Sequence, residues 1–221
     1  MKYLALIGDF INSKEMTNRS AVQKNLKKTL ANLNQKYSDF LVSRLTITLG
    51  DEFQGLFHLD APIFKLIDDL SLALKPYTIR FGLGLGDIVT PIDPKQSIGA
   101  DGPAYWSARQ AIETVHAKND YGNTKLFLVL PEPSLTIQAN ALLSASEHIK
   151  SNWRASQTEV FEAMLELGIY QEQFEQKKAA DYLGLKESAF TKRLKSSGVK
   201  IYFRCRLAVQ DLIRQYEEES R

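Results

Sequence analysis

Two aspartates carry the clearest chemical signal in this chain: Asp9 in ALIGDFINS and Asp51 in TLGDEFQGLF, each following a glycine at the end of an apolar stretch. Carboxylates brought together at the ends of adjacent strands repel, and raise one another's pKa, unless a cation sits between them. Mg²⁺ or Mn²⁺ with bound phosphates is the natural resolution, because hard cations prefer oxygen ligands. The residues after Asp9 (Phe10, Ile11, Asn12 and Ser13) lead into a helix and could offer backbone N–H groups to phosphate oxygens. Arg109, on a later helix, is the residue type suited to a two-pronged grip on phosphate. The plainer alternatives are that Gly-Asp makes a turn at both places and that Arg109 is a solvated helix arginine. Glu52 reads as a solvated hairpin residue in preference to a further ligand.

The elements that would position these residues follow from periodicity. Tyr3 to Ile7 is a short buried strand meeting a turn at Gly8-Asp9. A helix is expected from about Thr17, a plausible N-cap, to Tyr37, with Val22, Leu26, Leu30 and Leu33 at helical spacing. Leu41 to Leu49 alternates as a strand does, Gly50-Asp51 breaks it, and Glu52 to His58 resumes it, which predicts a β-hairpin with an aspartate at its tip. A helix from about Pro62 to Leu74, a strand-like stretch from Tyr77 to Val89, a helix from Pro103 to about His116 and a strand from Lys125 to Leu130 complete the order βαββαβαβ. That order implies a layered α/β domain. Gly82, Gly84 and Gly86 share one strand face and read as a packing feature beneath a ligand. Asp101 is placed to cap the helix that begins near Pro103.

From about Pro131 to Trp153 the composition shifts, and no convincing strand follows. The division expected is a metal- and nucleotide-binding domain over 1–132, a connecting helix or linker over 133–152, and a small all-α domain over 153–221. Within the last, a helix carrying Ala180, a turn at Gly184 and a second helix with Phe190 and Leu194 fit a helix-turn-helix unit. Between Lys177 and Arg206, nine lysines and arginines oppose only Asp181 and Glu187, in a chain whose net charge is +2. Such concentration is what contact with a phosphate backbone requires. Ser188, Thr191 and Lys192 are the candidates to reach base edges, with Lys195 on phosphate. A protein-interaction module with a solvated basic face is the alternative. Trp153 is assigned to this module's core, and the stripe Leu207, Ile213, Tyr216 to packing or dimerisation. The three histidines have no ligand spacing, and Cys205, among basic residues that favour a thiolate, is given no chemistry.

Taken in order, these segments resemble the class III nucleotidyl cyclases and their diguanylate-cyclase (GGDEF-like) relatives. ALIGDFINS is similar to the strand ending in a metal-binding aspartate and phosphate loop, and TLGDEFQGLF to the hairpin carrying the second metal aspartate. IRFGLGLGDIVTPI resembles the following glycine-bearing strand, and IGADGPAYWSARQAIE the helix that ends in alanine-x-arginine, which retains Arg109. Over its whole length the chain resembles the bacterial SatD family. The resemblance implies a ferredoxin-like nucleotidyl-cyclase-type fold of α+β type, Asp9 and Asp51 as metal ligands, Arg109 as a phosphate or transition-state arginine, a head-to-tail homodimer, and a closing helix-turn-helix. It departs at two positions: Ile47 stands near the place of the base-reading lysine, and Tyr105 in place of the ribose-positioning asparagine.

Two functions from different classes follow. One is a regulator whose first domain binds a nucleotide, or another phosphate-bearing small molecule, with Mg²⁺ or Mn²⁺, and whose last module binds DNA or a partner in response. The other is a metal-dependent nucleotidyl cyclase or transferase using the same aspartates and Arg109. The mismatches at Ile47 and Tyr105 favour binding over catalysis. A single cysteine excludes an intramolecular disulfide framework, and no apolar run spans a bilayer, so the expected setting is the cytoplasm, without membrane insertion.

Overall fold

The first apolar run continues past its expected stop: β1 spans Tyr3–Phe10, so Asp9 is a strand residue and no turn is made there. This computed structural model describes residues 1–13, 16, 18–117 and 120–218. Thr17, the expected cap, lies outside them; α1 (Arg19–Lys36) is capped by Asn18, whose side chain accepts from the Ala21 N–H at 3.1 Å. A 3₁₀ turn at Ser38–Phe40 leads into β2 (Leu41–Ile47), and β3 (Phe53–Phe57) pairs antiparallel with it. The hairpin tip is closed by Thr48 N–H to the Glu52 carbonyl (2.9 Å) and Glu52 N–H to the Leu49 carbonyl (3.0 Å), with Gly50 at φ 64°. Gly50 supplies the left-handed conformation that a side chain resists. Helix α2 (Ile63–Ala73), β4 (Ile79–Gly86), α3 (Pro103–His116) and β5 (Leu126–Val129) follow.

The five strands form one sheet in the order β2-β3-β1-β4-β5. The first four are antiparallel, in the split β-α-β arrangement, and β5 adds parallel to β4 after the α3 crossover. Alternation sorts β1 between two faces. Leu4, Leu6 and Phe10 join Phe81, Leu83 and Leu85 in the main core with α1 and α2; Ala5 and Ile7 face α3. Both outer strands are closed by an asparagine. Asn34 exchanges two hydrogen bonds with the Leu45 backbone, and Asn140 does the same with Leu128. Exposed strand edges invite pairing with other chains, and these side chains occupy part of each edge.

The glycine stripe lies under a helix, a correction to its expected place beneath a ligand. A Cβ on Gly84 would stand 2.1 Å from the Ala108 nitrogen and 2.3 Å from the Ala104 carbonyl oxygen; one on Gly82 would stand 2.3 Å from the Ala108 oxygen. The glycines let the α3 backbone, itself alanine-faced, settle onto the sheet.

Beyond β5 the described elements are all helical: α4 (Pro133–Ser151), α5 (Ala155–Glu166), α6 (Gln176–Tyr182), α7 (Glu187–Ser197) and α8 (Val199–Glu218). Helix α4 contributes Ala139 and Leu143 to the sheet core. The second core gathers Val160, Phe161, Met164, Phe190, Tyr202 and Phe203, with Trp153 stacked near Phe161 (4.8 Å) and Tyr202 (5.4 Å). Helix α8 belongs to both: Tyr202 and Phe203 lie in the second core, and Val209, Ile213 and Tyr216 in the sheet core. Among the described residues no helix is long and apolar enough to cross a membrane.

Candidate functional site

One end of the sheet collects the charges. Cross-strand register sets Asp9 of β1 opposite Arg80 of β4, and the side chains form a two-pronged pair, Nε to Oδ1 at 2.5 Å and Nη2 to Oδ2 at 2.9 Å. Glu52, at the hairpin tip, holds Arg109 of α3 the same way, at 2.6 and 3.0 Å, and accepts from Thr48 Oγ1 at 3.0 Å. Glu52 is therefore an ion-pair partner, contrary to its reading as a solvated hairpin residue. Arg80 was overlooked in the sequence because its role comes from register; an arginine opening the glycine strand was the only signal.

The carboxylates respond to this setting in different ways. Burial pushes the Asp9 pKa up, the Arg80 hydrogen bonds and charge pull it down, and Asp51 and Glu52 add repulsion; the net direction is up. The Arg109 hydrogen bonds hold Glu52 below its ordinary value, against burial. Asp51 is part-exposed beside them. The end thus carries three carboxylates and two paired guanidinium groups, with Arg19 at its border.

The loop after Asp9 divides. Phe10 is buried, its ring edge-on to Tyr77 at 5.8 Å, and the Ile11 N–H is spent on the Thr78 carbonyl at 2.9 Å. These two residues therefore do not cradle a phosphate as expected. Asn12, at φ 58°, and Ser13 form the remaining loop. A shallow cleft lined by Ser13, Arg19, Gln23 and Asp51 encloses only about 10 Å³, less than a water molecule's share of liquid volume. A ligand here would lie over the sheet end and not inside it. Tyr105 is buried with Ala5 and Ile7, and Ile47 is partly buried against the main core. Asp101 accepts from Trp106 Nε1 at 2.7 Å, while Gly102 occupies the helix cap without a side-chain bond; the expected capping role is corrected.

Oxygen ligands suit Mg²⁺ or Mn²⁺, but both oxygens of Asp9 are held by Arg80. Among the described residues, no three histidine, cysteine, aspartate or glutamate side chains gather to hold a metal ion. The donor set fits a cation that arrives with phosphate oxygens completing its shell, the usual habit of Mg²⁺. It does not fit a resident ion held by protein alone.

A sequence model of the SatD family (SatD) matches residues 3–213. The chain belongs to the SatD family. A solved structure with some likeness is the crystal structure of the catalytic core of a rhodopsin-guanylyl cyclase with converted specificity in complex with ATPalphaS. It is 16% identical, with a TM-score of 0.39 over 51% of this chain and 72% of that one. A likeness that weak carries nothing about ligand or reaction. Comparison with curated proteins gives no match.

In this SatD-family chain the basic stretch is less free than its composition implies. Arg206 is buried, Arg204 is paired with Glu172, and Arg193 with Glu159. Lys177, Lys178, Lys186, Lys192 and Lys195 remain exposed, as do Ser188 and Thr191; Thr191 donates to Gln176 at 3.0 Å. Ser188, Thr191, Lys192 and Lys195 share the outer side of α7, opposite Phe190 and Leu194, while Lys177 and Lys178 belong to α6 and Lys186 precedes α7. Burial pushes the Cys205 thiol up, outweighing its basic neighbours, so the thiolate that those neighbours would favour is not stabilised.

Proposed function

We propose that this SatD-family chain is a ligand-responsive regulator whose sheet end takes a divalent cation together with a nucleotide or other phosphate-bearing small molecule. The carrying observation is the charge pattern: two arginine–carboxylate pairs and a spare carboxylate, Asp51, at one open edge. A cation between Asp9 and Asp51 would take over the role of Arg80, freeing that guanidinium for the phosphate, and Arg109 can leave Glu52 on the same terms. Both pairs are partly exposed, which keeps such an exchange within reach of binding energy. Asn12, Ser13 and Arg19 border the same edge.

The test is a thermal-shift panel of nucleoside triphosphates with and without Mg²⁺ or Mn²⁺. Nucleotide plus cation at a hundredfold excess over Kd should raise Tm by about 5–10 °C, whereas cation alone should give no shift. A shift with cation alone, or none with any nucleotide, overturns the reading.

The second half of the proposal assigns α6 and α7 to a DNA-binding helix-turn-helix, with Ser188, Thr191 and Lys192 toward bases and Lys195 on phosphate. The exposed outer side of α7 supports it. Duplex affinity should fall steeply with salt, and removing Lys192 and Lys195 should lower the salt slope by about one per lysine. A homodimer belongs to the same reading, and light scattering with and without nucleotide checks it. If instead the sheet end performs nucleotidyl cyclase or transferase chemistry, incubation with each triphosphate and Mn²⁺ will yield a product that Asp51→Ala abolishes.

A further inference from the structure

A second charge cluster lies where the sheet meets the C-terminal helices. Asp68 of α2 is fully buried and accepts from Lys150 Nζ at 2.8 Å, Tyr170 at 2.7 Å and Tyr202 at 2.7 and 2.8 Å. Arg206 of α8 stands 3.7 Å from it and donates to Glu147 through Nη2 at 2.5 Å. Beside this cluster is a cavity of about 300 Å³, with Asp68, Glu147 and Arg206 on its inner side and Lys75, Asn123 and Lys125 toward solvent. A neighbouring hollow of about 230 Å³ shares Asp68, Ser71, Lys75 and Lys150 with it. Together they reach the size of small-molecule sites.

The walls lack an anion. Lys75, Lys125, Lys150 and Arg206 face Asp68, Glu147 and Glu162, and each of these carboxylates is already engaged: Asp68 as above, Glu147 by Arg206 and Glu162 by Lys75. Arg206 is 1% exposed, yet its Nε and Nη1 have no hydrogen-bond partner among the described residues. The guanidinium lies over the Tyr202 ring at 4.6 Å and its Nη1 is 3.7 Å from Asp68, but neither gives these two nitrogens a hydrogen bond, and buried donors in a cavity wall call for acceptor oxygens. Partial burial lowers the Lys75 pKa, and repulsion from Lys150 across the shared wall lowers it further.

We infer that this junction cavity binds a small molecule through a phosphate group, whose oxygens bridge Lys75, Lys125 and Lys150 toward Arg206. A tetrahedral dianion supplies acceptors for both the ammonium groups and the guanidinium fork. No cation is needed, which separates this site from the sheet end. The two are neighbours: Tyr77 and Thr78 line the cavity, and they hold Phe10 and Ile11 of the Asp9 loop. A phosphate held by these four side chains would tie the loop after α2 and the residue before β5 to α4 and α8.

The experiment titrates the full chain with inorganic phosphate in EDTA, against potassium chloride at matched ionic strength, following Tm and heat by calorimetry. Wild type and Asp51→Asn should show the same saturable rise. A Lys75→Gln/Lys125→Gln variant should need at least tenfold more phosphate, and Lys125→Gln alone, at a part-exposed position, provides a milder version that keeps the buried network whole. No rise beyond chloride, or an unchanged response in the lysine variants, overturns the inference. So does a response lost in Asp51→Asn, which would assign the phosphate to the sheet end.

Discussion

Asp9 and Asp68 are both aspartates held by basic side chains, and their pKa values move in opposite directions. At Asp9 burial prevails over one guanidinium, and Asp51 and Glu52 add repulsion, so the proton is held more tightly than usual. At Asp68 complete burial is outweighed by Arg206 and Lys150, with hydrogen bonds from Lys150 and Tyr202, so the carboxylate stays charged. At the sheet end Arg80 and Arg109 are taken by Asp9 and Glu52, which leaves Asp51 without an arginine pair; the junction is short of negative charge once its internal pairs are counted. A deficit of one sign at an accessible edge is what a ligand of the other sign can relieve. The same residue types therefore make an exposed, exchangeable edge in one region and, in the other, a buried joint that still leaves room for an anion beside it.

The joint should break hardest. Asp68→Ala leaves Lys150 and Arg206 near a hole without their carboxylate, and removing one partner of a buried pair costs about 3–5 kcal/mol. Urea unfolding measures this, and a loss below about 1 kcal/mol would mean that the network is not a unit. Next is Gly84→Ala. The new methyl would meet the α3 backbone, which cannot give way as a side-chain tip can, and overpacking of this kind costs about 3 kcal/mol. Because α3 carries Arg109, the same variant should also weaken whatever the sheet end binds.

Titration sharpens the contrast without a structural break. A depressed folded pKa contributes stability that is present above the unfolded value and lost as pH falls through the folded one; a raised pKa does the reverse. The stability difference between wild type and Asp68→Asn should therefore grow as pH rises through the acid range below about 4. The difference between wild type and Asp9→Asn should shrink as pH rises above about 4. Urea midpoints over this range test both, and slopes of the same sign would dissolve the distinction between the two regions.

The strands and hairpin were legible because alternation and Gly50-Asp51 are local signals, and α3 because Pro103 opens a periodic run. What was missed depends on register or depth. Asp9 lies within β1 because pairing with β4 continues through Arg80 and Ile79, and Gly8 leaves room for the Phe53 ring, where a Cβ would be 2.4 Å from it. No window of sequence contains both residues. Arg80 reaches Asp9 across strands. Asp68, in IDDL, looks like one of two solvated helix acids, and only α8 folding back with Arg206 makes it the buried one. Ala104 and Ala108, four residues apart on α3, are the small-residue complement of the glycine stripe, a signal that the reading of a ligand above the stripe passed over.

The smallest effect on stability should accompany the most telling effect on binding. Asp51 is part-exposed at the tip of a hairpin, so Asp51→Asn should change the unfolding free energy by no more than about 0.5 kcal/mol, the range of surface substitutions. It does remove the spare carboxylate, the one acidic group at the sheet end not already taken by an arginine. A cation–phosphate ligand would then face only Asp9, against the claim of Arg80, and the Tm rise with Mg²⁺ and nucleotide should disappear. If that response survives while Arg80→Ala or Arg109→Ala removes it, the site is an arginine site for a metal-free anion. The contrast with the junction would then be one of exposure and not of charge sign.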